Sequence, residues 1–290
     1  MKWMTALELG RVSNLPTVWT NTLAGVVLAG GTLGDARLPL LLVALSLFYV
    51  GGMFLNDAFD REFDARHRRD RPIPSGRVTA AMVFKSGFGL LAAGLALLAW
   101  LGFGVAGGTG WPPVAAGVAL AVCIVFYDRY HKQNPLSPVV MGLCRMLVYG
   151  VAATAIAGVP SGTVLAMGLL LLAYLVGLTY AAKQEHLDRL GNLWPLACLV
   201  LPLLWGAWAA LAGAAVALPW LLLCGWVAYA LSFLRRRRAG DIPRAVGYLL
   251  AGICLWDALV IAAAGQPVVA LLAVAGFALT LALQRYIAPT

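Results

Sequence analysis

Four oxygen-bearing side chains end the second apolar segment of the sequence, at a spacing that suits metal binding. They are Asn56, Asp57, Asp60 and Asp64. If the helix continues through this stretch, all four share one face, because residues three, four, seven and eight positions apart lie on the same side. Carboxylates stacked in this way repel one another without a cation, and Mg²⁺ prefers hard oxygen ligands together with substrate phosphates. The spacing predicts a magnesium site; the alternative is a solvated charged loop.

Basic residues follow these acids directly. Five arginines surround the segment Pro72-Ile-Pro-Ser-Gly76: Arg66, Arg68, Arg69, Arg71 and Arg77. The planar arginine guanidinium matches the geometry of phosphate oxygens. A diphosphate substrate requires this combination, in which carboxylates that bind a metal lie beside arginines that bind phosphate.

The elements that position these residues must lie in a membrane. The 290 residues are 62% hydrophobic and 11% charged, whereas soluble domains carry about 25% charged residues. Each apolar segment is near the length that crosses a bilayer as a helix. We therefore expect an all-α bundle of nine to ten transmembrane helices in a single domain, residues 1–290. The ten segments are 14–31, 38–57, 79–103, 112–127, 136–158, 162–182, 193–213, 217–234, 245–264 and 267–284.

The basic residues are distributed on one side of these segments. Of 21 lysines and arginines, 18 lie at the termini or in the loops after segments two, four, six and eight. The positive-inside rule predicts that both termini and these loops are cytoplasmic, in a bacterial-type inner or plasma membrane. The net charge of +9 thus reflects topology, and we expect no nucleic-acid partner. The five cysteines fit neither a zinc site nor a disulfide framework.

The motif Asn-Asp-x-x-Asp-x-x-x-Asp, followed by Arg-Pro-Ile-Pro-Ser-Gly-Arg, resembles the UbiA prenyltransferase superfamily. The stretch from Pro16 to Gly25 also resembles the first helix of that family. The resemblance implies a UbiA-like bundle with its active site in a cavity at the cytoplasmic face. It implies that the four residues of the motif hold Mg²⁺, with two ions expected in all, bridging a prenyl diphosphate that Arg71 and Arg77 help to bind. The family usually has nine spans, so a tenth is a departure.

Two further stretches resemble family motifs less closely. Tyr127-Asp-Arg-Tyr-His-Lys132 resembles a tyrosine-and-lysine motif, which implies that Lys132 contacts the diphosphate and Tyr127 the substrate; the alternative is a helix-end lysine that sets topology. The end of segment six holds Tyr180, Lys183, Glu185 and Asp188. The family's second acidic motif has two aspartates four apart, whereas Glu185 and Asp188 are three apart. They still share a helix face and would bind the second ion, with Lys183 at the diphosphate and Tyr180 at the substrate; an ordinary polar helix end is the alternative.

Two polar residues lie inside apolar segments. Arg145 is deep in segment five, where a charge is costly and usually faces a cavity or a partner. We predict that it contacts the diphosphate or the acceptor; pairing with a buried acid, for which Asp257 is the candidate, is the alternative. Asn21 in segment one is expected to face the bundle interior and to contact substrate.

The segments 141–145 and 179–185 make the chain most similar to the UbiA-like proteins of Ebo gene clusters, which handle secondary metabolites. The resemblance implies a Mg²⁺-dependent intramembrane prenyltransferase that moves an isoprenyl group from a prenyl diphosphate to a small cyclic acceptor, either aromatic or cyclitol-like. Asp60, Asp64 and Asp188 would act in the reaction, the last two as candidate bases. The alternative is a non-catalytic membrane carrier or transport component that retains the fold. An alcohol phosphotransferase is disfavoured because its Asp-Gly-x-x-Ala-Arg signature is absent.

Overall fold

The computed structural model describes residues 1–132, 134–183, 194–236, 238 and 240–289. Within these ranges the chain is helical and has no β-strand, which confirms the expected all-α membrane bundle. The helices are α1 Trp3–Leu9, α2 Leu15–Leu28, α3 Leu38–Phe59, α4 Arg61–His67, α5 Ala80–Phe103, α6 Pro112–Tyr130, α7 Ser137–Ala157, α8 Gly162–Lys183, α9 Val200–Ala209, α10 Ala214–Arg236, α11 Asp241–Ala263 and α12 Pro267–Leu283.

Each of the ten apolar segments contains an apolar helix, but the helices differ in length. Seven are long and apolar enough to cross a bilayer: α3, α5, α6, α7, α8, α10 and α11. Two apolar helical stretches are shorter: Leu196–Ala212, in which α9 lies between two 3₁₀ turns, and α12, Pro267–Leu283. Helix α2 has 14 residues, which is about 21 Å at 1.5 Å per residue against a hydrocarbon core of about 30 Å. The number of complete spans therefore stays a prediction.

Prolines mark where several of these helices begin. A proline occupies one of the first two positions of α2, α3, α6, α7 and α12. Proline is tolerated there because the first N–H groups of a helix have no intrahelical partner. The side chain of Thr79 caps α5 by accepting a hydrogen bond of 3.3 Å from the Met82 N–H. Local sequence thus sets these starts.

Helix α11 lies at the centre of the bundle. Nearly its whole spanning length is buried, and it packs against α2, α8, α10 and α12. The outer helices expose large apolar side chains such as Leu218 and Leu271, both more than half accessible. A protein surrounded by lipid is expected to place apolar side chains on its outer surface and polar side chains, such as Asp257, in its interior.

Helices α3 and α5 cross closely at two glycines. A Cβ added to Gly51 would lie 2.9 Å from the Gly87 carbonyl oxygen, and one added to Gly87 would lie 2.8 Å from Leu55 Cδ2. Small residues allow transmembrane helices to approach in this way. The crossing fixes the end of α3, where the acidic residues lie.

Candidate functional site

The acidic motif continues across the junction between α3 and α4. Asp60 separates the two helices but has helical dihedral angles, φ −80° and ψ −3°. Its N–H donates to the Asn56 carbonyl, and the Asp64 N–H donates to the Asp60 carbonyl, both at 2.9 Å. Because the hydrogen bonds keep the spacing of an α-helix, Asn56, Asp60 and Asp64 follow one another at one-turn intervals, as the spacing in the sequence predicts.

Basic side chains from other elements approach these acids. Arg11, between α1 and α2, donates to Asn56 Oδ1 at 3.1 Å and to Asp57 Oδ1 at 3.0 Å. Arg71 Nη1 lies 3.8 Å from the same Asp57 oxygen. Lys132 Nζ lies 2.9 Å from Asp60 Oδ2. These cations offset the repulsion between the acids.

The pKa values of Asp60, at the junction of α3 and α4, and Asp64, on α4, are shifted in opposite directions. Burial raises the pKa of Asp60, but hydrogen bonds and charge from His131 and Lys132 outweigh it, so that the pKa lies below its usual value. Burial and the neighbouring charge of Asp60 raise the pKa of Asp64, and Arg71 only partly opposes them. Asp64 is therefore an acid whose charge the surrounding residues compensate incompletely.

A cavity of about 370 Å³ connects this charged end with an apolar interior. Arg11, Asn56, Asp60, Asp64, Arg71 and Lys132 line the charged end. The remaining wall includes Val18, Phe48, Leu120, Val148 and Leu175. A cavity of this size and composition suits a ligand that has an anionic head and a hydrocarbon body.

The donor set fits a magnesium ion that is shared with a substrate. Asp57 Oδ2 is buried and has no hydrogen-bond partner among the described residues, and the other side chains of the motif offer hard oxygens. Among the described residues, however, no three His, Cys, Asp or Glu side chains are close enough to hold a metal between them. Mg²⁺ commonly binds through one or two carboxylates while substrate phosphates complete its shell. The residues therefore fit a metal that arrives with a phosphate group.

The predicted phosphate-binding residues fall into two groups. Arg71, Lys132 and Arg145 line the cavity, as does Tyr127. Arg77 does not, and the prediction that it contacts the diphosphate is not supported by its position. It is half-exposed and paired with both carboxylate oxygens of Glu8 on α1. No motif in the sequence marks Glu8, whose carboxylate holds this guanidinium outside the cavity.

Other predicted residues lie behind the cavity or beyond the described chain. Asn21 is completely buried and forms hydrogen bonds with Asp257 and Arg145. Its predicted effect on substrate would therefore be exerted through Arg145 and not by direct contact. Tyr180 is half-buried near the end of α8 and is not among the described residues that line the cavity. Glu185 and Asp188, and the side chain of Lys183, lie outside the described residues. The second acidic motif accordingly stays a prediction.

Two residues of the site were not singled out from the sequence. Arg11 was counted only as a topology charge, yet it contacts both Asn56 and Asp57. It has a left-handed backbone, φ 41°, which turns the chain from α1 into α2. Asp128 is buried and accepts a hydrogen bond of 3.1 Å from Asn56 Nδ2. Its position next to Tyr127, within a motif already noted, was the available signal.

Comparison with known proteins agrees with this geometry. Residues 18–240 match the UbiA prenyltransferase family. A digeranylgeranylglyceryl phosphate synthase from Ignicoccus hospitalis is 32% identical over 193 residues, which are 64% of this chain and 59% of that protein. The chain spans less than two thirds of the length of the curated relatives that it matches first.

Solved structures share the fold. A UbiA homologue from Aeropyrum pernix K1 superimposes with a TM-score of 0.66 at 18% identity, over 87% of this chain and 96% of that one. A UbiA homologue from Archaeoglobus fulgidus, bound to DMAPP and Mg²⁺, gives a TM-score of 0.55 at 14% identity, over 98% of this chain and 100% of that one. At these identities the likeness concerns the fold alone.

Proposed function

The chain belongs to the UbiA prenyltransferase family, and we propose that it transfers an isoprenyl group from a prenyl diphosphate to an acceptor within the membrane. The observation that carries the proposal is the cavity, which joins a charged end to an apolar wall. The charged end suits the diphosphate, and the apolar wall suits the isoprenyl chain. We further propose that residues 1–290 form one catalytic domain.

In this proposal Asn56, Asp57, Asp60 and Asp64 hold magnesium beside the diphosphate. Bound magnesium supplies positive charge that stabilises the departing diphosphate. Binding of a second ion would require Glu185 and Asp188.

Three basic side chains complete the proposed binding site for the prenyl diphosphate. Arg11, Arg71 and Lys132 lie around the same acids and would donate to phosphate oxygens as the carbon–oxygen bond breaks. The apolar wall would exclude water from the allylic carbon until the acceptor attacks it.

We propose an acceptor that carries a glyceryl phosphate group, in place of the cyclic acceptor expected from the sequence. Relatives are named for the synthesis of digeranylgeranylglyceryl phosphate, which supports this class. A small cyclic acceptor, with a role in secondary metabolism, is the second candidate because the segment that ends at Arg145 resembles the Ebo-type proteins.

The charged end of the cavity would open to the cytoplasm, as the basic loops predict.

A transfer assay tests the proposal. Purified protein in detergent is incubated with Mg²⁺, geranylgeranyl diphosphate and one of three acceptors: geranylgeranylglyceryl phosphate, 4-hydroxybenzoate or a cyclitol. Diphosphate release and product mass are measured. We expect transfer to the glyceryl phosphate, and Asp60→Asn should reduce the rate at least 100-fold, roughly the size of effect that removal of one essential electrostatic group produces.

Asp70→Asn is the matched control, because Asp70 is an exposed aspartate in the segment that follows α4 and does not line this cavity. Its rate should equal that of the unmodified protein. If geranylgeranyl diphosphate binds and reacts with none of the three acceptors, the chain acts as a carrier and the enzymatic proposal is wrong.

A further inference from the structure

A cluster of polar side chains lies inside the membrane-spanning part of the bundle, away from the acidic motif. Asp257 on α11 is completely buried. Its carboxylate accepts hydrogen bonds from Thr20 Oγ1 at 2.6 Å, from Asn21 Nδ2 at 2.8 and 3.0 Å, and from the Tyr149 hydroxyl. Both carboxylate oxygens are therefore satisfied by neutral donors. A buried ionisable group in a membrane is costly and usually marks a function.

Asn21 joins this cluster to Arg145. Its amide nitrogen donates to Asp257, and its amide oxygen accepts a hydrogen bond of 3.0 Å from Arg145 Nη1. Arg145 does not pair directly with Asp257, as the sequence suggested it might, because the side chain of Asn21 lies between them. The amide holds the guanidinium in place and leaves the two charges separated.

The other side of the guanidinium faces the cavity. Arg145 is more than nine-tenths buried and lines the cavity wall. Among the described residues, Nη1 is the one nitrogen of Arg145 that has a hydrogen-bond partner, and Nε and Nη2 are not completely enclosed by protein. Within the described chain, Arg145 forms no ion pair, whereas Arg11, Arg71 and Lys132 each lie within 3.8 Å of a carboxylate.

Arg145 also takes no part in the ion pairs of the acidic motif that the described residues form. Its guanidinium lies over the ring of Tyr49, 5.7 Å from the ring centre. Among the described residues, no hydrogen bond or ion pair joins Arg145 to the side chains of the acidic motif, whereas Arg11, Arg71 and Lys132 each lie beside one of those acids. Arg145 is therefore available to a second anionic group in the same cavity.

We propose that Arg145, held in position by Asn21 and Asp257, binds an oxyanion on the acceptor. This inference rests on the proposed function, since it assigns the acceptor end of the same cavity. The acceptor's reacting atom would lie between Arg145 and the diphosphate, with its phosphate or carboxylate on the guanidinium. Asn21 and Asp257 are positioning residues, because they act through Arg145.

Binding of matched charged and uncharged acceptors tests the proposal. Affinities of geranylgeranylglyceryl phosphate, 4-hydroxybenzoate and the uncharged geranylgeranylglycerol are measured by calorimetry on the full chain in detergent, without donor. Loss of a charge-assisted hydrogen bond costs roughly 10- to 100-fold in affinity. Arg145→Met should weaken binding of the preferred charged acceptor by that factor and leave geranylgeranylglycerol unchanged. Whichever of the two charged probes shows the loss identifies the oxyanion as phosphate or carboxylate.

Two variants separate charge from fold. Arg145→Lys retains the charge and should retain part of the preference for the charged acceptor. Asn21→Ala should reduce the preference, because it removes the bond that holds the guanidinium toward the cavity and lets Arg145 pair with Asp257. Arg235→Met is the control, since Arg235 is exposed at the end of α10 and lines neither described cavity.

The affinity for geranylgeranyl diphosphate with Mg²⁺ is measured in parallel. It should change less than twofold in Arg145→Met. Equal losses for donor and acceptor would make Arg145 a diphosphate ligand and overturn the proposal, as would equal binding of charged and uncharged acceptors by the unmodified protein. Because acceptor binding is measured without turnover, failure of prenyl transfer would contradict the proposed function and leave this test intact.

Discussion

Asp60 and Asp64 lie one helical turn apart, yet their surroundings act on them in opposite directions. His131 and Lys132 hold the pKa of Asp60 below its usual value against the effect of burial. Burial and the charge of Asp60 raise the pKa of Asp64. His131 and Lys132 thus keep Asp60 ionised. The ionised form of Asp64 has less support from its neighbours, and an added cation would stabilise it. At the residue scale the site is organised to receive positive charge next to Asp64.

Lys132 provides the first prediction at this scale. Its ammonium lies 2.9 Å from Asp60 and 3.5 Å from the centre of the Phe63 ring, at the mouth of the cavity. Lys132→Met should raise the KM for prenyl diphosphate about tenfold, because a charge-assisted hydrogen bond is worth about 1.5 kcal/mol or more.

Steady-state assays at saturating Mg²⁺ measure this effect. Lys85→Met is the control, since Lys85 is exposed on α5 and does not line the cavity. An unchanged KM in Lys132→Met would assign this lysine to topology alone.

The sequence could predict the acids but not most of their partners. The spacing of Asn56, Asp60 and Asp64 is a local property of a helix, so it could be recognised without a structure. Arg11 and Asn56 are 45 residues apart, and Asn56 and Asp128 are 72 apart. Such contacts depend on how the helices pack. For the same reason the sequence could offer Asp257 as an alternative partner for Arg145, but not the side chain of Asn21 that lies between them.

At the scale of elements, the crossing of α3 and α5 depends on glycine. Gly87 faces α3, where an added Cβ would meet both Leu55 and the Gly51 carbonyl. Gly89, two residues further along the same helix, is exposed, and an added Cβ there would meet no described atom within 4 Å. The two glycines therefore form a matched pair for testing the role of close packing.

Gly87→Leu should destabilise the bundle, whereas Gly89→Leu should not. The leucine at position 87 forces α3 and α5 apart, and overpacking of this kind costs about 1 to 3 kcal/mol. Thermal unfolding in detergent measures the difference, which we expect as a melting temperature several degrees lower for Gly87→Leu alone. Equal melting temperatures would show that the crossing tolerates a wider separation.

A second connection between elements is made by Arg37, in the loop before α3. Two of its side-chain nitrogens donate to Asp35 at 2.7 and 2.9 Å. Nη1 donates to the carbonyls of Gly107, Ala155 and Ile156. Carbonyls in the last turn of a helix have no intrahelical partner, so Arg37 satisfies the end of α7 and joins it to two loops.

Asp35 gives this connection a pH dependence. Hydrogen bonds from Arg37 hold the pKa of Asp35 below its usual value. A depressed carboxyl pKa stabilises the fold above the unfolded pKa of about 4, and the stabilisation is lost as the pH falls through the folded value. Asp35→Asn should therefore lower stability by about 1 kcal/mol at pH 7.

Melting temperatures measured from pH 7 down to about pH 3 test this sign. The unmodified protein and Asp35→Asn should converge as the pH falls below about 4. A difference that stays constant over the whole range would mean that the charge of Asp35 does not contribute.

At the scale of the whole molecule, the positions of the apolar helices could be predicted from the sequence more accurately than the number of helices that cross the membrane. Hydropathy is a property of each segment, and all ten segments contain a helix. Length along the membrane normal depends also on breaks such as the 3₁₀ turn Trp194–Leu199 before α9. Segment seven was therefore recognised, but its shortened α9 could not be foreseen. The central place of α11 likewise follows from packing.

The predicted sidedness follows from charge and is testable on the intact protein. If both termini and the even loops are cytoplasmic, position 69 faces the cytoplasm and position 34 the opposite side. Both are exposed, and among the described residues an added Cβ at Gly34 meets only Thr32, at 3.8 Å. Arg69→Cys and Gly34→Cys are introduced singly after the five native cysteines are replaced by alanine. A membrane-impermeant maleimide should label Gly34→Cys in intact cells and Arg69→Cys only in inverted vesicles. The reverse pattern would place the charged end of the cavity, and with it the proposed diphosphate site, on the outer face.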